Sequence, residues 1–301
     1  MSPPRLHHDE VDIDAALARA LVAEQLPEYA GLPVHRVASG GTEHAVLRLG
    51  DELAVRMPMT PGAVSGLLKE LRWLPALRPH LTLDVPEVVA TGQPGQGYPF
   101  PWAVLRWLAG DDASTVPFGS MAETAVDLGR FVSELQGIDT SDAPAPGSEG
   151  FARGVPLAGR DAAVREVLPE CEGLIDVRQV ADVWDDALAA PEWTGPPVWV
   201  HADLIPPNLL VQGGRLAGIL DFGTLATGDP AYDVTAAWHV LDRASRPAFL
   251  EIVGADEATC RRARGLVVSG AVFAFPYYLH TNPTMVATAR RGVEEVLADR
   301  A

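Results

Sequence analysis

The spacing of apolar residues changes near residue 107, and this change constrains the fold more than any other feature of the chain. Before it, short segments of alternating apolar and polar residues predict strands, interrupted by one helical run. After it, apolar residues recur mainly at helical spacing. The pattern predicts an α+β chain with a small N-terminal lobe at 1–106, built on a five-stranded sheet, and a larger, mainly helical lobe at 107–301. The two lobes would join near 108–117 and enclose a cleft.

Each element of this outline follows from a local pattern. The predicted strands of the first lobe are 33–38, 44–49, 52–57, 87–91 and 102–107. The predicted helices are 13–26, 61–74, 118–137, 158–169, 176–190 and a series from 232 onward, with Asp12 as the N-cap of the first. A compact stretch at 198–223 predicts strand, loop, strand, turn and strand.

The charge of the chain limits the class of ligand. Lys and Arg total 23 and Asp and Glu total 40, which gives a formal net charge of −17. Nucleic-acid phosphates would be repelled, so we expect no nucleic-acid partner. Most of the excess lies in 107–301, where 28 acidic and 14 basic residues compare with 12 and 9 in 1–106. This distribution favours a cationic small ligand, with solubility as the alternative explanation.

Cysteine content and hydropathy limit the compartment. Cys171 and Cys260 are the only cysteines and are far apart in sequence, so we expect neither a disulfide scaffold nor a thiolate zinc site. The longest apolar run, 266–279, contains polar residues and a proline and is shorter than the roughly 20 residues of a membrane span. The first residues lack the apolar core of a signal peptide. We therefore expect a cytoplasmic protein with no membrane association.

Residues 200–223 carry the candidate chemistry. They read VHADLIPPNLLVQGGRLAGILDFG, with Asp203 and Asn208 in a loop and Asp221 after a predicted hairpin. This arrangement brings two carboxylates and an amide to adjacent strand ends. Mg²⁺ prefers oxygen ligands and commonly takes one or two carboxylates while substrate phosphates complete its shell, which suits Asn208 and Asp221. Asp203 stands apart from them and suits acceptance of a proton from an attacking hydroxyl.

Each part of this segment is common by itself, because His-x-Asp usually braces a loop and Asp-Phe-Gly is often a turn. The joint spacing is far less common: the motif H-x-D-x-x-x-x-N ends at Asn208, and the D-F-G motif begins thirteen residues later at Asp221. This spacing matches the catalytic loop and metal-binding element of kinases.

The stretches HADLIPPNLL and GILDFGTLATGDPAYDVTAAW resemble the aminoglycoside phosphotransferase family, an antibiotic-kinase branch of the protein-kinase-like fold. Further similarity lies in SGGTEHAVLRLGDELAVRMP, KELRWLPAL, GYPFPWAVLRWLAG and YYLHTNPTMVATARR, so the resemblance extends from about residue 33 to the C-terminus. It implies the bilobal kinase-like fold, bound Mg²⁺ and ATP or GTP as phosphoryl donor. It also implies that Asp203 is the catalytic carboxylate and that Asn208 and Asp221 hold the metal.

The resemblance places the nucleotide in the first lobe. The residues that match the loop covering the phosphates are Ser39, Gly40, Gly41 and Thr42. Small residues there let backbone amides approach phosphate oxygens. The residues whose backbone matches the segment facing the adenine edge are Arg106, Trp107 and Leu108.

One position departs from the family pattern. The strand that normally carries a phosphate-binding lysine ends here with Arg56, fourteen residues before Glu70 on the next predicted helix, which is the spacing of the family's ion pair. Arginine can contact two oxygen atoms at once, so Arg56 is a suitable phosphate ligand. Lys69 is the sole lysine and the alternative, but on a helix it points about 100° away from Glu70. We expect the role to belong to Arg56.

Several other side chains receive a structural interpretation. We expect His201 to brace the catalytic loop, and Asp229 and Asp233 to cap a helix that begins near residue 230 and anchor the loop. Three tryptophans fit core packing better than a sugar site: Trp184, Trp193 and Trp199. Four acidic side chains are conceivable contacts for a cationic acceptor: Asp161, Glu166, Glu170 and Glu172.

These observations predict a Mg²⁺-dependent O-phosphotransferase that moves the γ-phosphoryl group of a nucleotide to a hydroxyl of a small, cationic antibiotic of the aminoglycoside type. Another acceptor remains open: a macrolide, a basic peptide antibiotic, or a choline- or homoserine-like metabolite. A nucleotide-binding pseudokinase is a further alternative, favoured by the missing strand lysine and opposed by Asp203, Asn208 and Asp221. The expected partners are the nucleotide and the acceptor, with no protein partner.

Overall fold

The computed structural model describes residues 9–37, 43–148 and 153–300. The strands are β1 (Val34–Arg36), β2 (His44–Leu49), β3 (Leu53–Pro58), β4 (Val88–Gly92), β5 (Trp102–Arg106), β6 (Asp111–Asp112), β7 (Val198–Val200), β8 (Leu209–Gln212), β9 (Arg215–Ile219) and β10 (Ala226–Gly228). The helices are α1 (Ala15–Gln25), α2 (Ala63–Leu77), α3 (Met121–Gln136), α4 (Asp161–Val167), α5 (Val177–Leu188), α6 (Ala231–Val234), α7 (Ala236–His239), α8 (Arg246–Ile252), α9 (Glu257–Tyr278) and α10 (Pro283–Arg300).

The first lobe is built on an antiparallel five-stranded sheet of order β1-β2-β3-β5-β4, which confirms the predicted sheet. β2 and β3 form a hairpin in which Leu49 pairs with Leu53, and Gly50 supplies the φ of +61° that the tight turn requires. β3 is buried along its whole length because β2 and β5 flank it and the apolar side chains of α1 pack on the sheet. The sheet therefore holds Arg56 on its central strand.

Helix α2 links this sheet to the rest of the molecule. Its first half packs Leu67 against β5, whereas Trp73 and Leu77 belong to the large core of the second lobe. The predicted end at residue 74 was too early, because the helix continues through Pro75 and Leu77 finds a buried place in that core. Glu70 lies between the two halves and is fully buried, so α2 carries it into the space between the lobes.

The second lobe is mainly helical, as predicted, with a large core to which α3, α5, α9 and α10 all contribute. The apolar run 266–279 covers the second half of α9 and its C-cap, and it is buried against α5 and α10 at half of its positions, mainly before residue 276. Across the described ranges, no helix is long and apolar enough to cross a membrane. Fully buried aromatic side chains fill the core: Phe131, Trp184, Trp199, Trp238, Phe249 and Phe275.

A small sheet at the edge of this lobe carries the candidate chemistry. β8 and β9 form the predicted hairpin, which turns at Gly213 and Gly214 with φ of +59° and +80°. β6, which lies within the predicted junction of the lobes at 108–117, pairs with β8. The short strands β7 and β10 pair with each other on either side of the hairpin in sequence, so the loops that follow β7 and β9 lie close together.

Two predicted helix boundaries were wrong for local reasons. α1 begins at Ala15, because Asp14 rather than Asp12 is its N-cap: the Leu17 N–H donates to Asp14 Oδ1 at 2.8 Å. The helix predicted at 158–169 is reduced to α4, since the chain enters and leaves it through 3₁₀ turns, the second of which contains Pro169.

Candidate active site

The loop after β7 holds Asp203 and Asn208 together. The Asn208 Nδ2 donates to the backbone oxygen of Asp203 at 2.9 Å and to its carboxylate Oδ2 at 2.8 Å. A 3₁₀ turn at Pro206–Asn208 folds the chain back and makes this contact across five residues possible. The carboxylate of Asp203 is therefore held in a fixed orientation while its residue stays partly exposed.

The electrostatic surroundings of Asp203 adapt it to proton transfer near neutral pH. Burial raises the pKa of Asp203 to about 6, and the negative charge of Asp221 acts in the same direction. The Arg153 guanidinium and the amide of Asn208 oppose this rise in pKa. A carboxylate with a pKa near 6 is still ionised at pH 7 and accepts a proton more readily than an ordinary aspartate.

Asp233 anchors the backbone of the catalytic loop. Its two carboxylate oxygens accept the N–H groups of His201, at 2.9 Å, and Ala202, at 2.7 Å. Ala202 has a φ of +63°, a conformation that costs a non-glycine residue free energy and that these bonds hold in place. The predicted helix-capping role of Asp233 was therefore wrong and its loop-anchoring role right, whereas Asp229 does cap α6 by accepting the Ala231 N–H at 2.9 Å.

His201 is fully buried behind the catalytic loop. Its Nδ1 accepts the Asp203 N–H at 3.2 Å, so its Nε2 carries the proton that is donated to the Leu220 oxygen at 3.0 Å. Burial lowers the pKa of His201 to about 4, so the ring is neutral at pH 7. These contacts agree with the predicted bracing role of His201.

Arg56 joins the two lobes at the candidate nucleotide site. Its Nε lies 3.2 Å from Glu70 Oε2, so the predicted ion pair forms, and its Nη2 lies 2.6 Å from Asp221 Oδ1. The same nitrogen is 3.2 Å from His44 Nδ1. Glu70 in turn accepts the Phe222 N–H at 2.8 Å, which ties α2 to the residue after Asp221. The sheet, the helix and the segment after β9 thus meet at one guanidinium.

The charges of Arg56, Glu70 and Asp221 act on one another's ionisation. Burial by itself would lower the pKa of Arg56, but Glu70 and Asp221 together raise it above its ordinary value. Burial raises the pKa of Glu70 to about 7, against the lowering effect of Arg56. Burial also disfavours the charged form of Asp221, yet the guanidinium of Arg56, which is also hydrogen-bonded to it, holds the pKa of Asp221 at about 2. Asp221 is therefore ionised at neutral pH, and its side chain is 38% exposed.

Asp221 and Asn208 have the chemistry of a magnesium site. The N–H of Leu220, the residue before Asp221, donates to the backbone oxygen of Asn208 at 2.8 Å. Asp221 and Asn208 therefore lie close together on neighbouring chain segments. The NH₂ group of Asn208 is used by Asp203, which leaves the amide oxygen as its metal-binding atom. One ionised carboxylate and one amide oxygen fit a hard cation that takes its remaining ligands from phosphates.

Lys69 lies away from this centre. Its Nζ donates to the backbone oxygen of Leu225 at 3.1 Å, and the residue is only 5% exposed. The neighbouring Glu70 points to Arg56 instead, as helical geometry predicts for adjacent residues. The arrangement supports Arg56, and not Lys69, as the cation next to the candidate phosphate site.

The remaining nucleotide-site predictions concern the end of β5 with the two residues that follow it, and a loop that lies outside the described residues. The side chains of Arg106 and Trp107 face other residues: Arg106 Nε lies 3.1 Å from Glu87 Oε2, and Trp107 stacks under the guanidinium of Arg48. Their N–H groups donate to the backbone oxygens of Glu87 and Glu52. Leu108 is half-buried beside them. The predicted loop residues Ser39, Gly40, Gly41 and Thr42 lie outside the described residues.

Two residues near the site were not found by sequence reasoning. His44 contacts Arg56 from β2, and burial lowers its pKa to about 3, so it is neutral and accepts from the guanidinium. Arg153 is close enough to Asp203 to lower its pKa, and its Nε is buried without a hydrogen-bond partner. His44 follows the predicted phosphate loop directly, which is a usable signal, whereas no local pattern marks Arg153.

The sequence of the chain matches a known protein family. A family model described as "Phosphotransferase enzyme family" matches residues 34–266, which is most of the chain. The chain belongs to this family. The phosphotransferase is also 24% identical over 206 residues, or 61% of its length, to the aminoglycoside 3'-phosphotransferase of Niallia circulans, of which the match covers 74%.

Solved structures agree on the fold of this phosphotransferase. The GDP complex of wild-type aminoglycoside 2'-phosphotransferase-IIIa superposes with a TM-score of 0.74 at 20% identity, covering 96% of this chain and 100% of the other. The apoenzyme of macrolide 2'-phosphotransferase MphH from Brachybacterium faecium gives a TM-score of 0.63 at 22% identity, covering 93% and 97%. Both likenesses confirm the predicted kinase-like architecture.

The tryptophans and acids of the second lobe take varied positions in the phosphotransferase. Trp184 and Trp199 are core residues, as predicted, but Trp193 is 40% exposed, so that prediction was wrong for it. Trp193 follows the end of α5 and lines a cavity of about 200 Å³ together with Arg262. Asp161, one of the conceivable acceptor contacts, is engaged by Trp184 Nε1 at 2.8 Å and by Arg165.

Proposed function

We propose that this phosphotransferase moves the γ-phosphoryl group of a nucleoside triphosphate to a hydroxyl of an antibiotic-type small molecule, with Mg²⁺ as cofactor. The observation that carries the proposal is the meeting of two residue pairs between the lobes: Asp203 with Asn208, and Arg56 with Asp221. Residues 1–106 would bind the nucleotide and residues 107–301 the acceptor. This combination matches what phosphoryl transfer needs, namely alignment of the reactants and neutralisation of charge.

The residues divide the chemistry between them. Asp203 accepts the proton of the acceptor hydroxyl while the new O–P bond forms and the bond from the γ-phosphorus to the bridging oxygen breaks, releasing a nucleoside diphosphate. Asn208 and Asp221 would hold Mg²⁺, which neutralises the phosphate oxygens when bound. Arg56 offers its guanidinium to the same phosphates, and Glu70 orients it.

The nucleotide site suits ATP or GTP. The backbone at Arg106, Trp107 and Leu108 would face the purine. Because the N–H groups of Arg106 and Trp107 already donate to backbone oxygens, we assign the hydrogen bond with the purine to the backbone of Leu108. Ser39, Gly40, Gly41 and Thr42 would cover the phosphates. Similar solved structures are described as complexes with GDP and with ATP, which supports a purine nucleotide without selecting one.

The acceptor is proposed as an antibiotic because similar proteins include an aminoglycoside 3'-phosphotransferase, a macrolide 2'-phosphotransferase and phosphotransferases solved with kanamycin or gentamicin. An aminoglycoside-type acceptor is supported by the net charge of −17, most of which lies in the second lobe. A macrolide-type acceptor is favoured by a different observation, an apolar cavity beside the catalytic loop. Cys171 and Cys260 are free and buried, which suits a reducing cytoplasm.

The test is nucleotide consumption by the whole chain with Mg²⁺, across aminoglycoside, macrolide and metabolite acceptors, with the product identified by mass spectrometry. We expect a phosphorylated acceptor, and a loss of about 10²- to 10⁴-fold in kcat for Asp203→Asn with little change in nucleotide KM. Asp182→Asn, an exposed acid on α5, is the matched control. Removal of Mg²⁺ with a chelator abolishes turnover.

A pseudokinase would give a different result. It would bind nucleotide, measured by calorimetry, yet form no phosphorylated product with any acceptor, and Asp203→Asn would leave its slow nucleotide consumption unchanged. The pairing of Asp203 with Asn208 and the ionised state of Asp221 both argue against this alternative.

A further inference from the structure

A cavity of about 480 Å³ lies beside the catalytic loop. This volume falls within the range of about 300–1,000 Å³ typical of small-molecule sites. Its walls come from the segment after the lobe junction, the catalytic loop and one face of α10. The residues on that helix face are Pro283, Thr284, Ala287, Thr288 and Arg291.

Part of the cavity wall is formed by the loop that carries the candidate catalytic residues. Pro206, which lines it, follows Asp203 by three residues and precedes Asn208 by two. Ala113, another lining residue, donates its N–H to the oxygen of Leu209, directly after Asn208, at 3.0 Å. A molecule in this cavity therefore lies next to the backbone of the loop that carries Asp203.

The lining is apolar with a few hydroxyl groups. Phe118, Met121 and Val240 supply apolar surface, and Ser114 and Thr284 supply hydroxyls. Such a surface stabilises an apolar molecule by removing it from water, at roughly 25 cal/mol per Å² of apolar area buried. Hydroxyl groups add hydrogen bonds without a charge requirement.

The charges around the cavity do not suit a polycation. None of the described residues that line it is Asp or Glu. The only charged lining residue is Arg291, whose guanidinium donates to the backbone oxygens of His239, Val240 and Leu241. Arg153 is close enough to Asp203 to lower its pKa, so it adds a positive charge near that carboxylate. Several ammonium groups inside the cavity would meet the charge of Arg291 and, among the described lining residues, no carboxylate.

We infer that the acceptor of this chain has a largely non-ionic, apolar body that occupies this cavity and presents a hydroxyl to Asp203. This inference rests on the proposed function, and it selects among the acceptors that the sequence left open. In the transfer, the hydroxyl proton passes to Asp203 and the new O–P bond forms. The bond from the γ-phosphorus to the bridging oxygen breaks, and the nucleoside diphosphate leaves. The cavity thus determines specificity while the catalytic loop determines chemistry.

The test compares two probes: erythromycin, a macrocyclic lactone with several hydroxyls and one amine, and kanamycin, a compact polyamine. We expect the wild type to bind and phosphorylate the lactone with at least tenfold higher kcat/KM than kanamycin. Ala287→Phe fills the cavity from α10 and should raise the lactone KM at least tenfold while nucleotide KM stays unchanged. Ala298→Phe, an exposed position on the same helix away from the cavity, is the control.

A second variant separates charge from volume. Thr284→Glu places a carboxylate in the cavity, and we expect it to raise the lactone KM and to lower the kanamycin KM. Calorimetry with both probes in the presence of Mg²⁺ and a non-hydrolysable nucleotide supplies a readout that needs no turnover. Lactone binding that Ala287→Phe weakens, without product, would support the cavity and reject the proposed function.

The opposite results overturn the inference alone. Preferential phosphorylation of kanamycin would do so, as would lactone binding that neither Ala287→Phe nor Thr284→Glu changes. Absence of lactone binding to the wild type, with kanamycin still phosphorylated, would also reject the cavity while leaving the phosphotransferase activity established.

Discussion

The Arg56 guanidinium lies 2.6 Å from the Asp221 carboxylate, although 165 residues separate the two in sequence. Arg56 comes from the central strand of the first lobe and Asp221 follows the end of β9 in the second, so their contact joins the two lobes. The same two groups are the candidate ligands of phosphate and metal.

Replacement of Arg56 tests this contact. Arg56→Ala removes charge-assisted bonds worth about 1.5–3 kcal/mol each, so we expect the nucleotide kcat/KM to fall by about 10- to 100-fold or more. Arg56→Lys should recover only part of this, because one ammonium cannot span Glu70 and Asp221 together. Steady-state kinetics measures the effect. Arg130→Ala, at an exposed position of α3, is the control, and kinetics equal to the wild type for Arg56→Ala would contradict the assignment.

Lys69 should affect stability and not nucleotide use. Its ammonium satisfies the buried oxygen of Leu225, so Lys69→Met leaves that oxygen without its donor. We expect the free energy of unfolding to fall by about 1–3 kcal/mol, measured by urea denaturation. The nucleotide KM should remain within about twofold of the wild type. A large rise in nucleotide KM with unchanged stability would transfer the phosphate role from Arg56 to Lys69.

The pH dependence should follow Asp203. Its pKa is raised to about 6, and only the ionised form accepts a proton, so activity is lost as pH falls through 6. We expect kcat/KM for the acceptor to be flat above about pH 7 and to fall roughly tenfold per pH unit below the pKa. Asp203→Asn should flatten the profile of its residual activity. A profile governed by a group near pH 4 would point to His201 instead.

Asp233 should act through the position of the catalytic loop. Asp233→Asn turns an amide NH₂ toward the N–H of His201 or Ala202 and leaves one of these buried donors unsatisfied, at a cost of about 1–3 kcal/mol. We expect a lower melting temperature and at least a tenfold fall in kcat with little change in nucleotide KM. Asp182→Asn controls for loss of a carboxylate in this lobe. An unchanged kcat at a temperature where the variant is folded would show that the loop needs no such anchor.

Local pattern was sufficient to predict the order of elements and much of the site. Strand alternation and a turn glycine predict the β2–β3 hairpin, because a periodicity of two residues is already contained in a short stretch of sequence. The ion pair of Arg56 with Glu70, fourteen positions later, was implied by the resemblance to the family, and it is present in the structure. The closeness of Asp203 and Asn208 is likewise a property of one short loop.

Contacts between distant segments were beyond the reach of local pattern. Asp233 appeared to be a helix cap because it lies at the start of α6, yet its partners are two N–H groups in the catalytic loop 31 and 32 residues earlier. Nothing in the sequence around Arg153 places it near Asp203.

The sequence by itself determined the class of reaction, because the spacing of Asp203, Asn208 and Asp221 and the resemblance to a phosphotransferase family both indicate phosphoryl transfer to a hydroxyl. Only the tertiary structure decided what surrounds that chemistry. The apolar cavity forms where α10 packs against the segment after β5 and against Pro206, which are far apart along the chain. Its shape and its lack of lining carboxylates depend on how helices pack, and net charge alone had favoured the opposite kind of acceptor.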